Sequence, residues 1–333
     1  MKWSCECPDF RYRHVVCKHI YAVMFSQTLR QRVMSENLGL EEIDEPDVIC
    51  KRCGSTKVIK QGFRVNKNGK VQRYKCKECG YKFVLKESGF HKMKNKPKII
   101  TLALDLYFKG ISYRKIVDHL RQFYGIKVSH VAIIKWVKKY TELMKRYVDS
   151  LMPQTSGIWH TDEMAINIKG EYNWLWNVMD HETRFLLASQ ISQRREVKDA
   201  RRVFQKAKET AKERPKAVIT DGLPAYIKAF KKEFFTLRNP RVKHIAKPRF
   251  VDKTNNNMVE RLQGTIRERD KVLRALKKLD ENSIIDGFRI YYNFIRPHQA
   301  LNGLTPAEMA GLNLNLKGNR WLSLIKRSVK GIE

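Results

Sequence analysis

The sequence predicts an α/β core that is preceded by small cysteine-containing modules and a helical segment. Two apolar runs, 158–167 and 174–180, have strand character and are close enough in sequence to pair as a hairpin. A third short apolar run, 217–221, ends in an acid and is followed by a Gly and Pro turn into a helix. All seven cysteines lie before residue 80, whereas residues 96–148 have helical periodicity.

The charge of the chain indicates a polyanionic partner. The 333 residues include 67 Lys and Arg against 34 Asp and Glu, a net charge of +33. The excess is local, with 16 bases and 2 acids in 51–100 (+14), 15 and 4 in 201–250 (+11), but 5 and 7 in 151–200 (−2). A near-neutral stretch in a basic protein suits a site that holds cations beside a phosphate backbone.

No apolar run approaches the roughly 18 to 20 residues that a membrane helix requires. The first 25 residues interrupt their apolar positions with Cys, Arg, Lys and His, unlike a signal peptide. We therefore expect a soluble, cytoplasmic protein with no membrane partner, and metal binding in place of disulfides.

Two CxxC pairs, each followed by Gly, predict a structural zinc site. The ligands are Cys50, Cys53, Cys76 and Cys79. Two thiolates from each pair complete a tetrahedral site, and each Gly tolerates the positive φ of a tight turn. Apolar runs at 58–65 and 71–74, around a turn at 66–69, predict a zinc ribbon over 48–90. The alternative is four ordinary buried thiols.

A second cysteine cluster lies in the first 25 residues. Cys5, Cys7, Cys17 and His19 have C-x-C-x9-C-x-H spacing, which resembles a SWIM-type zinc finger and implies a second Zn2+ site. That family has strand residues before its first Cys, whereas only four residues precede Cys5. This leaves open whether the module is truncated, or a remnant without metal. The acidic run that follows predicts a solvated linker over 26–47.

The helical periodicity predicts a helix-turn-helix DNA-binding segment over 96–150. Ser112 and Ser129 are candidate N-caps, and Gly125 ends the first helix. The predicted buried stripes consist of Ile116, Val117, Leu120 and Phe123 on the first helix, and Ile133, Val137, Tyr140 and Met144 on the second. Lys135, Trp136 and Lys139 form another face of the second helix and are the candidate DNA contacts. The alternative is a helical spacer with a solvated basic face.

Three acids in the remaining sequence form a candidate metal site. Asp162 lies in the middle of a predicted strand, Asp221 follows the end of another, and Glu260 lies on a predicted helix. Counting by three and four places Asn256, Glu260, Gly264 and Arg267 on one helix face. Three such acids can bind two divalent ions. Glu163 competes for the first position, but neighbouring strand residues point to opposite faces, so we expect only Asp162 to reach the metals.

These residues fall within runs that resemble the DDE-type transposases of bacterial and archaeal insertion sequences. The matching runs are 159–163, 174–176, 179–180, 220–222, 256–260 with Arg267, 291–301 and 304–308, together with the helix-turn-helix runs 110–114 and 136–140. The resemblance covers roughly residues 100 to 310. It implies an RNase H-like catalytic core of mixed sheet and flanking helices over 155–311, followed by a basic tail over 312–333.

The resemblance also implies a function. Asp162, Asp221 and Glu260 would bind two Mg2+ or Mn2+ ions in each active site, and Arg267 would contact substrate phosphate. The implied activity is cleavage and strand transfer at the ends of an insertion sequence, without a nucleotide cofactor. The implied partners are double-stranded DNA, as terminal repeats and as target, and further copies of the chain in a homodimer or higher oligomer. A prokaryotic nucleoid is the implied location.

Two other functions remain open at this point. One is a transposase-derived DNA-binding regulator without catalysis, and the other is a nuclease of similar fold, such as a junction resolvase. Smaller predictions accompany them: His160 is packed rather than catalytic, and Trp174 and Trp176 belong to the core. The run 296–298 positions either DNA and a helix end or the fold itself.

Overall fold

A computed structural model describes much of the chain as two compact units, Met1–Leu85 and Lys86–Glu333, which are treated separately below. The described residues are 5–7, 11–12, 20, 48–50, 52–66, 69–84, 89–90, 93–168, 170–237, 241–246, 257–270 and 282–330. Cys17, His19 and the predicted linker over 26–47 lie outside them. Within the described ranges, no helix has the length and apolar character needed to cross a bilayer.

The first unit contains a three-stranded antiparallel sheet. Its strands are β1 (Val58–Asn66), β2 (Gly69–Cys76) and β3 (Lys82–Val84), in that order across the sheet. Asn66 is paired with Gly69, which confirms the predicted hairpin, whereas β3 was not predicted. Among the described residues of this unit, the buried core consists of Cys50, Tyr74, Cys76 and Phe83.

The second unit is built on a mixed five-stranded sheet. Its strands are β4 (Ile158–Ile168), β5 (Glu171–Asp180), β6 (Leu186–Ser192), β7 (Ala217–Thr220) and β8 (Lys243–Ala246). The order across the sheet is β6-β5-β4-β7-β8. The β4–β5 and β5–β6 pairs are antiparallel, and β4–β7 and β7–β8 are parallel. This arrangement confirms the predicted mixed sheet and the predicted hairpin of β4 and β5.

Helices cover both faces of the sheet. The helices α4 (Val197–Ala211) and α5 (Pro224–Phe234) pack on the face from which the indole of Trp159 contacts Phe234 edge to face, at 6.2 Å between ring centroids. Helix α6 (Asn257–Asp270) contacts β4 on the face to which Asp162 points. Asp162 therefore lies between the sheet and α6, near the carboxyl end of β7.

Among the described residues of the second unit, the helices α1 (Pro97–Phe108), α2 (Tyr113–Tyr124) and α3 (His130–Val148) precede the sheet. The Ser112 and Ser129 hydroxyls accept hydrogen bonds from Lys115 and Ala132 amides, and Gly125 ends α2 at a φ of 64°, which confirms the predicted caps.

The buried stripe predicted for α3 is confirmed, because Ile133, Val137, Tyr140 and Met144 are all fully buried. On α2, Ile116 and Leu120 are buried, but the prediction for Phe123 was wrong, since its ring is 66% exposed. Phe123 lies in the last turn of α2, on the solvent side of the helix, and its ring is tilted by 39° against the His119 ring at 4.7 Å between centroids.

Residues 312–333, predicted as a basic tail, contain a helix that belongs to the core. After the short helix α8 (Pro306–Met309), helix α9 (Arg320–Lys330) buries Trp321, Leu324 and Ile325. The indole of Trp321 stacks on Phe108 at 5.3 Å and donates to Asp105 Oδ1 at 3.1 Å. The apolar spacing of α9 was not recognised in the sequence because many of its residues are Lys or Arg.

The segment that follows helix α7 (Asn282–Ile290) has a structural role. It forms a π-helical turn, Tyr291–Ile295, and a 3-10 turn, Gln299–Leu301. The buried Asn293 amide accepts from Leu186 N at 2.8 Å and donates to Leu186 O at 3.0 Å, which fixes the turn to β6. His298 is buried against the Tyr292 ring, so for this residue the structure favours the folding alternative over a DNA contact.

Helix α7 approaches α1 and α3 so closely that only glycine fits at one position. A methyl group on Gly287 would lie 2.8 Å from Phe108 Cε1 and 2.8 Å from Thr141 Oγ1. We expect Gly287→Ala to lower the free energy of unfolding by about 1 to 3 kcal/mol through overpacking, despite the better helix propensity of Ala. Urea denaturation of the full chain measures this change.

Gly264→Ala is the matched control, because no atom of another element lies within 4 Å of the added methyl. This variant should gain roughly 0.5 to 1 kcal/mol from helix propensity alone. Equal stability of the two variants would contradict the close packing of α7 on α1 and α3.

Candidate metal centre and nucleic-acid interface

Three carboxylates converge at the carboxyl end of the parallel strands. Asp162 lies in the middle of β4, and Asp221 directly follows β7. Each of Asp162, Glu163 and Asp221 places a carboxylate oxygen within 4.8 Å of the other two. The Asp221 side chain is 40% exposed, and its Oδ1 accepts from Leu223 N at 2.9 Å, so the turn into α5 orients it.

Glu260 lies on the neighbouring helix α6, outside this cluster. It is in the first turn of α6, and Glu260, Gly264 and Arg267 are all exposed, as expected for one face of the helix; Asn256 lies outside the described residues. Glu260 is not part of the mutual 4.8 Å cluster, but its charge acts on Asp162. Gln263, one turn later, donates to Asp162 Oδ2 at 2.7 Å and thereby holds α6 against β4.

Burial and the neighbouring carboxylates shift the pKa of Asp162. Burial raises the pKa of Asp162 to about 7, together with the negative charges of Glu163, Asp221 and Glu260. The backbone N–H of Glu163 donates to Asp162 Oδ1 at 2.9 Å, and this hydrogen bond lowers the pKa of Asp162. Carboxylate oxygens are the donors that hard divalent cations prefer, and a cation would offset the repulsion among these acids.

The prediction that Glu163 points away from the cluster was wrong, since its carboxylate lies within 4.8 Å of those of Asp162 and Asp221. The strand β7 ends at Thr220, so Asp221 lies beyond the sheet, where side chains from either face of β4 can approach it. Glu163 differs from Asp162 in its partner. The guanidinium of Arg195 donates to Glu163 Oε1 from Nε at 2.7 Å and also from Nη2.

Arg195 was not found by sequence reasoning. It precedes α4, and its Nη2 lies 3.9 Å from Asp221 Oδ2 while its guanidinium lies over the Trp174 ring at 4.6 Å from the centroid. No local pattern distinguishes it from the neighbouring bases. Gln263 was also missed, although its position three residues after Glu260 on a helix was a usable signal.

The indole of Trp176 is fully buried and donates to Ser192 Oγ at 2.8 Å, as expected for a core residue, whereas Trp174 is only half-buried. His160 is fully buried and its Nε2 lies 2.8 Å from His181 Nδ1, which confirms a packed histidine.

The candidate DNA contacts on α3 divide into exposed and buried residues. Lys135 and Lys139 are exposed. The prediction that Trp136 belongs to the same open face was wrong, because its indole is 5% exposed and packs in the main core. The buried positions of α3 repeat every three to four residues, and Trp136 falls beside Val137 within that stripe.

The four cysteines of the first unit converge as the spacing predicted. Their sulfur atoms all lie within 4.8 Å of one another, with Cys50 Sγ 3.5 Å from Cys79 Sγ and Cys53 Sγ 3.6 Å from Cys76 Sγ. The backbone N–H of Cys79, with that of Glu78, lowers the pKa of Cys76 to about 6 against the effect of burial. Thiolates at this spacing fit a tetrahedral Zn2+.

The glycines after the two knuckles have the predicted conformation. Gly54 has a φ of 72° and Gly80 a φ of 67°, and their amides donate to the carbonyls of Cys50 and Cys76 at 2.8 and 3.1 Å. Both turns therefore use the positive φ that glycine permits. In the second cluster the structure describes Cys5 and Cys7 but neither Cys17 nor His19.

Comparison with known families identifies two parts of the chain. Residues 156–298 match the family described as the DDE domain, and residues 1–27 match the SWIM zinc finger. The first match includes Asp162, Asp221 and Glu260, and the second includes Cys5, Cys7, Cys17 and His19. These two families imply use of a divalent metal and of zinc.

Curated relatives are named as proteins of insertion elements. The chain is 28% identical to the "Insertion element ISM1 uncharacterized 48.3 kDa protein" of Methanobrevibacter smithii, over 56% of this chain and 48% of the relative. It is 30% identical to "Transposase for insertion sequence-like element IS431mec" of Staphylococcus aureus, over 40% of this chain and 62% of the relative. The chain therefore spans about half to three fifths of the length of these relatives.

Among solved structures, one similar chain is the catalytic core domain of the HTLV-2 integrase in complex with magnesium. It has a TM-score of 0.36 and 18% identity, and the match covers 48% of this chain and 98% of that one. Another is the simian T-cell lymphotropic virus intasome in complex with a PP2A regulatory subunit, at a TM-score of 0.37 and 14% identity, over 62% of this chain and 73% of that one.

Proposed function

We propose that this chain, whose residues 156–298 form a DDE domain, is a DNA transposase that cuts and rejoins phosphodiesters at the ends of an insertion sequence. The observation that carries the proposal is the convergence of Asp162 and Asp221 at the carboxyl end of the parallel strands, with the charge of Glu260 acting on Asp162. Ligand sites in open α/β sheets lie at this end of the strands. The transposase names of the curated relatives support the same reading.

The residues proposed to hold two Mg2+ or Mn2+ ions are Asp162, Asp221 and Glu260. Held by these residues, two divalent ions would supply activation of the attacking oxygen and stabilisation of the leaving oxygen. Gln263 orients the Asp162 carboxylate through its hydrogen bond to Oδ2. Arg195 neutralises Glu163, which leaves the other acids of the cluster available to cations.

The remaining chain is proposed to position DNA. Lys135 and Lys139 are exposed on α3 and suit contacts to phosphates, and exposed Arg267 lies two turns beyond Glu260 on α6. The domain organisation proposed is a SWIM finger, a zinc ribbon with one structural Zn2+, a helix-turn-helix segment and the DDE core. The proposed partners are terminal repeats and target DNA in a prokaryotic nucleoid, engaged by a dimer or larger oligomer because two ends must be brought together.

The full chain, incubated with supercoiled plasmid that carries the element ends, is expected to nick and join DNA in Mg2+ or Mn2+ and to do neither in EDTA. The reason is that in-line displacement needs metals and positioning but no energy cofactor. Gel analysis of nicked and joined products measures the activity.

Two outcomes would replace the proposal. DNA binding without metal-dependent cleavage under any divalent ion would favour a regulator. Cleavage without joining, even with 3′-hydroxyl ends supplied, would favour a nuclease.

A further inference from the structure

A basic cleft of about 570 Å³ lies between the start of α4 and one side of α5, beside the acid cluster. Its charged lining consists of five bases, Arg195, Lys198, Arg201, Lys228 and Lys232, and one acid, Glu196. The rest of the lining is small or aliphatic. A concave surface with this excess of positive charge suits an anionic ligand.

The bases of the cleft differ in how far they are already paired. Arg195 is bound to Glu163, Lys198 Nζ lies 3.1 Å from Glu196 Oε2, and Arg201 Nε donates to Glu233 Oε2 at 3.0 Å. Lys228 and Lys232 are exposed, and no carboxylate of the described residues lies within 4.0 Å of either amine. These two lysines of α5 therefore hold charge that an incoming anion can neutralise.

The cleft is continuous with the acid cluster through Arg195. This residue lines the cleft, and its Nη2 also lies 3.9 Å from Asp221 Oδ2. Pro224, another lining residue, begins α5 three residues after Asp221. A chain of phosphates that follows the cleft therefore leads directly to Asp221.

The chemistry of the lining favours the DNA backbone over its bases. Among the described residues that line the cleft, none is aromatic, so bases have no ring on which to stack. Glu196 and Asp199 form a capping box at the start of α4, so the backbone amides of these two residues already have carboxylate partners. Recognition rests on long cationic side chains, which contact phosphates without reading sequence.

We propose that this cleft binds the phosphodiester backbone of a DNA strand next to the bond that the acid cluster acts on, independently of base sequence. The proposal rests on the proposed function, because the strand is placed relative to that site. It adds a second nucleic-acid surface to the exposed lysines of α3, on a different part of the same unit.

Lysine footprinting on the full chain tests the cleft directly. The probe is a random-sequence duplex of about 40 base pairs, bound in Ca2+ and at low salt, where phosphate contacts are strongest. Acetylation of Lys228 and Lys232, measured by mass spectrometry, is expected to fall by about fivefold or more on binding, because each amine is neutralised by phosphate. The same data test the proposed contacts of Lys135 and Lys139.

Lys216 and Lys243 are internal controls. Both are exposed, and they lie at the start of β7 and β8, the opposite end of the sheet from Asp221. Their acetylation should change by less than about twofold, since no phosphate reaches them. Protection of Lys228 and Lys232 no greater than that of the two controls overturns the proposal.

A pair of charge-reversal variants provides the second measurement. Lys228→Glu with Lys232→Glu should lower plasmid nicking by about tenfold or more, whereas Lys216→Glu with Lys243→Glu, of equal net charge, should stay within about twofold of wild type. An equal loss of plasmid nicking in both double variants would overturn the proposal that the cleft binds DNA. Protection of the cleft lysines in a protein that never nicks DNA would uphold the cleft and reject the proposed catalysis. Plasmid nicking without protection of Lys228 and Lys232 would reject DNA binding in the cleft and leave the proposed catalysis standing.

Discussion

Asp162→Asn, Asp221→Asn and Glu260→Gln are each expected to reduce DNA cleavage and joining by about a thousandfold or more in Mg2+. Each change keeps nearly the same volume but removes one of the charges proposed to hold two divalent ions. Binding of the terminal repeats should stay nearly intact, because the bases proposed to contact DNA are unchanged. Product gels and anisotropy binding assays on the full chain measure the two effects separately.

Glu182→Gln is the matched control, since this acid is exposed and lies outside the carboxylate cluster. It should cleave DNA like the wild type. Full activity in any one of the three variants would remove that residue from the proposed metal site. Unfolding of all three, seen by circular dichroism, would instead indicate structural acids.

Glu163→Gln tests whether Glu163, whose carboxylate lies in the cluster with Asp162 and Asp221, takes the place of Glu260 as the third metal ligand. Because Arg195 already binds Glu163 Oε1 and the side chain is 1% exposed, we expect lower stability but a far smaller loss of cleavage than in Asp162→Asn. A folded Glu163→Gln variant as inactive as Asp162→Asn, with Glu260→Gln still active, would assign the third position to Glu163.

Removal of zinc is expected to unfold the three-stranded sheet of the first unit. Two of its four described core residues, Cys50 and Cys76, are themselves proposed ligands, which leaves Tyr74 and Phe83 as the larger buried side chains. So small a core cannot offset the entropy of ordering the sheet. Structural zinc in small domains contributes about 10 to 16 kcal/mol of apparent binding free energy, which here serves folding.

The variant Cys76→Ser should lower the zinc content of the full chain by about one ion and abolish amide protection in β1 to β3. Elemental analysis and hydrogen exchange measure the two effects. Thr56→Ala, an exposed change in the loop between Cys53 and β1, is the control and should alter neither. Zinc content and protection that both survive in Cys76→Ser would support the alternative of ordinary buried thiols.

Local signals in the sequence predicted most of the fold. Serine caps, the Gly125 terminus and the apolar spacing of α3 depend on neighbouring residues, so the structure confirms them. The same holds for the hairpin of β4 and β5, where apolar runs face each other across a short turn. The acids at 162 and 221 meet because β4 and β7 are adjacent and parallel, with His160 level with Ile219, so that the acids two residues further along lie side by side.

The incorrect or missing predictions concern residues whose burial or partners depend on tertiary contacts. Trp136 satisfies the spacing of an open basic face, but the neighbouring helices bury it. The helix α9 has too many bases for its apolar side to stand out, and its burial depends on Phe108, more than 200 residues earlier. Arg195 meets Glu163 only after β4 and the start of α4 are brought together, a contact that no short window of sequence contains.

The long helix α3 connects the proposed DNA contacts Lys135 and Lys139 to the core of the second unit. Its 19 residues span about 28 Å at 1.5 Å per residue. Near its carboxyl end, Lys145 and Asp149 form ion pairs with Asp286 and Arg289 of α7, on either side of the glycine that permits close approach. The helix is also held along its buried side from Ile133 to Met144, while Lys135 and Lys139 stay exposed. Under the proposed function, the number of base pairs between the recognised sequence and the cut bond is set by the length of a helix rather than by a flexible tether.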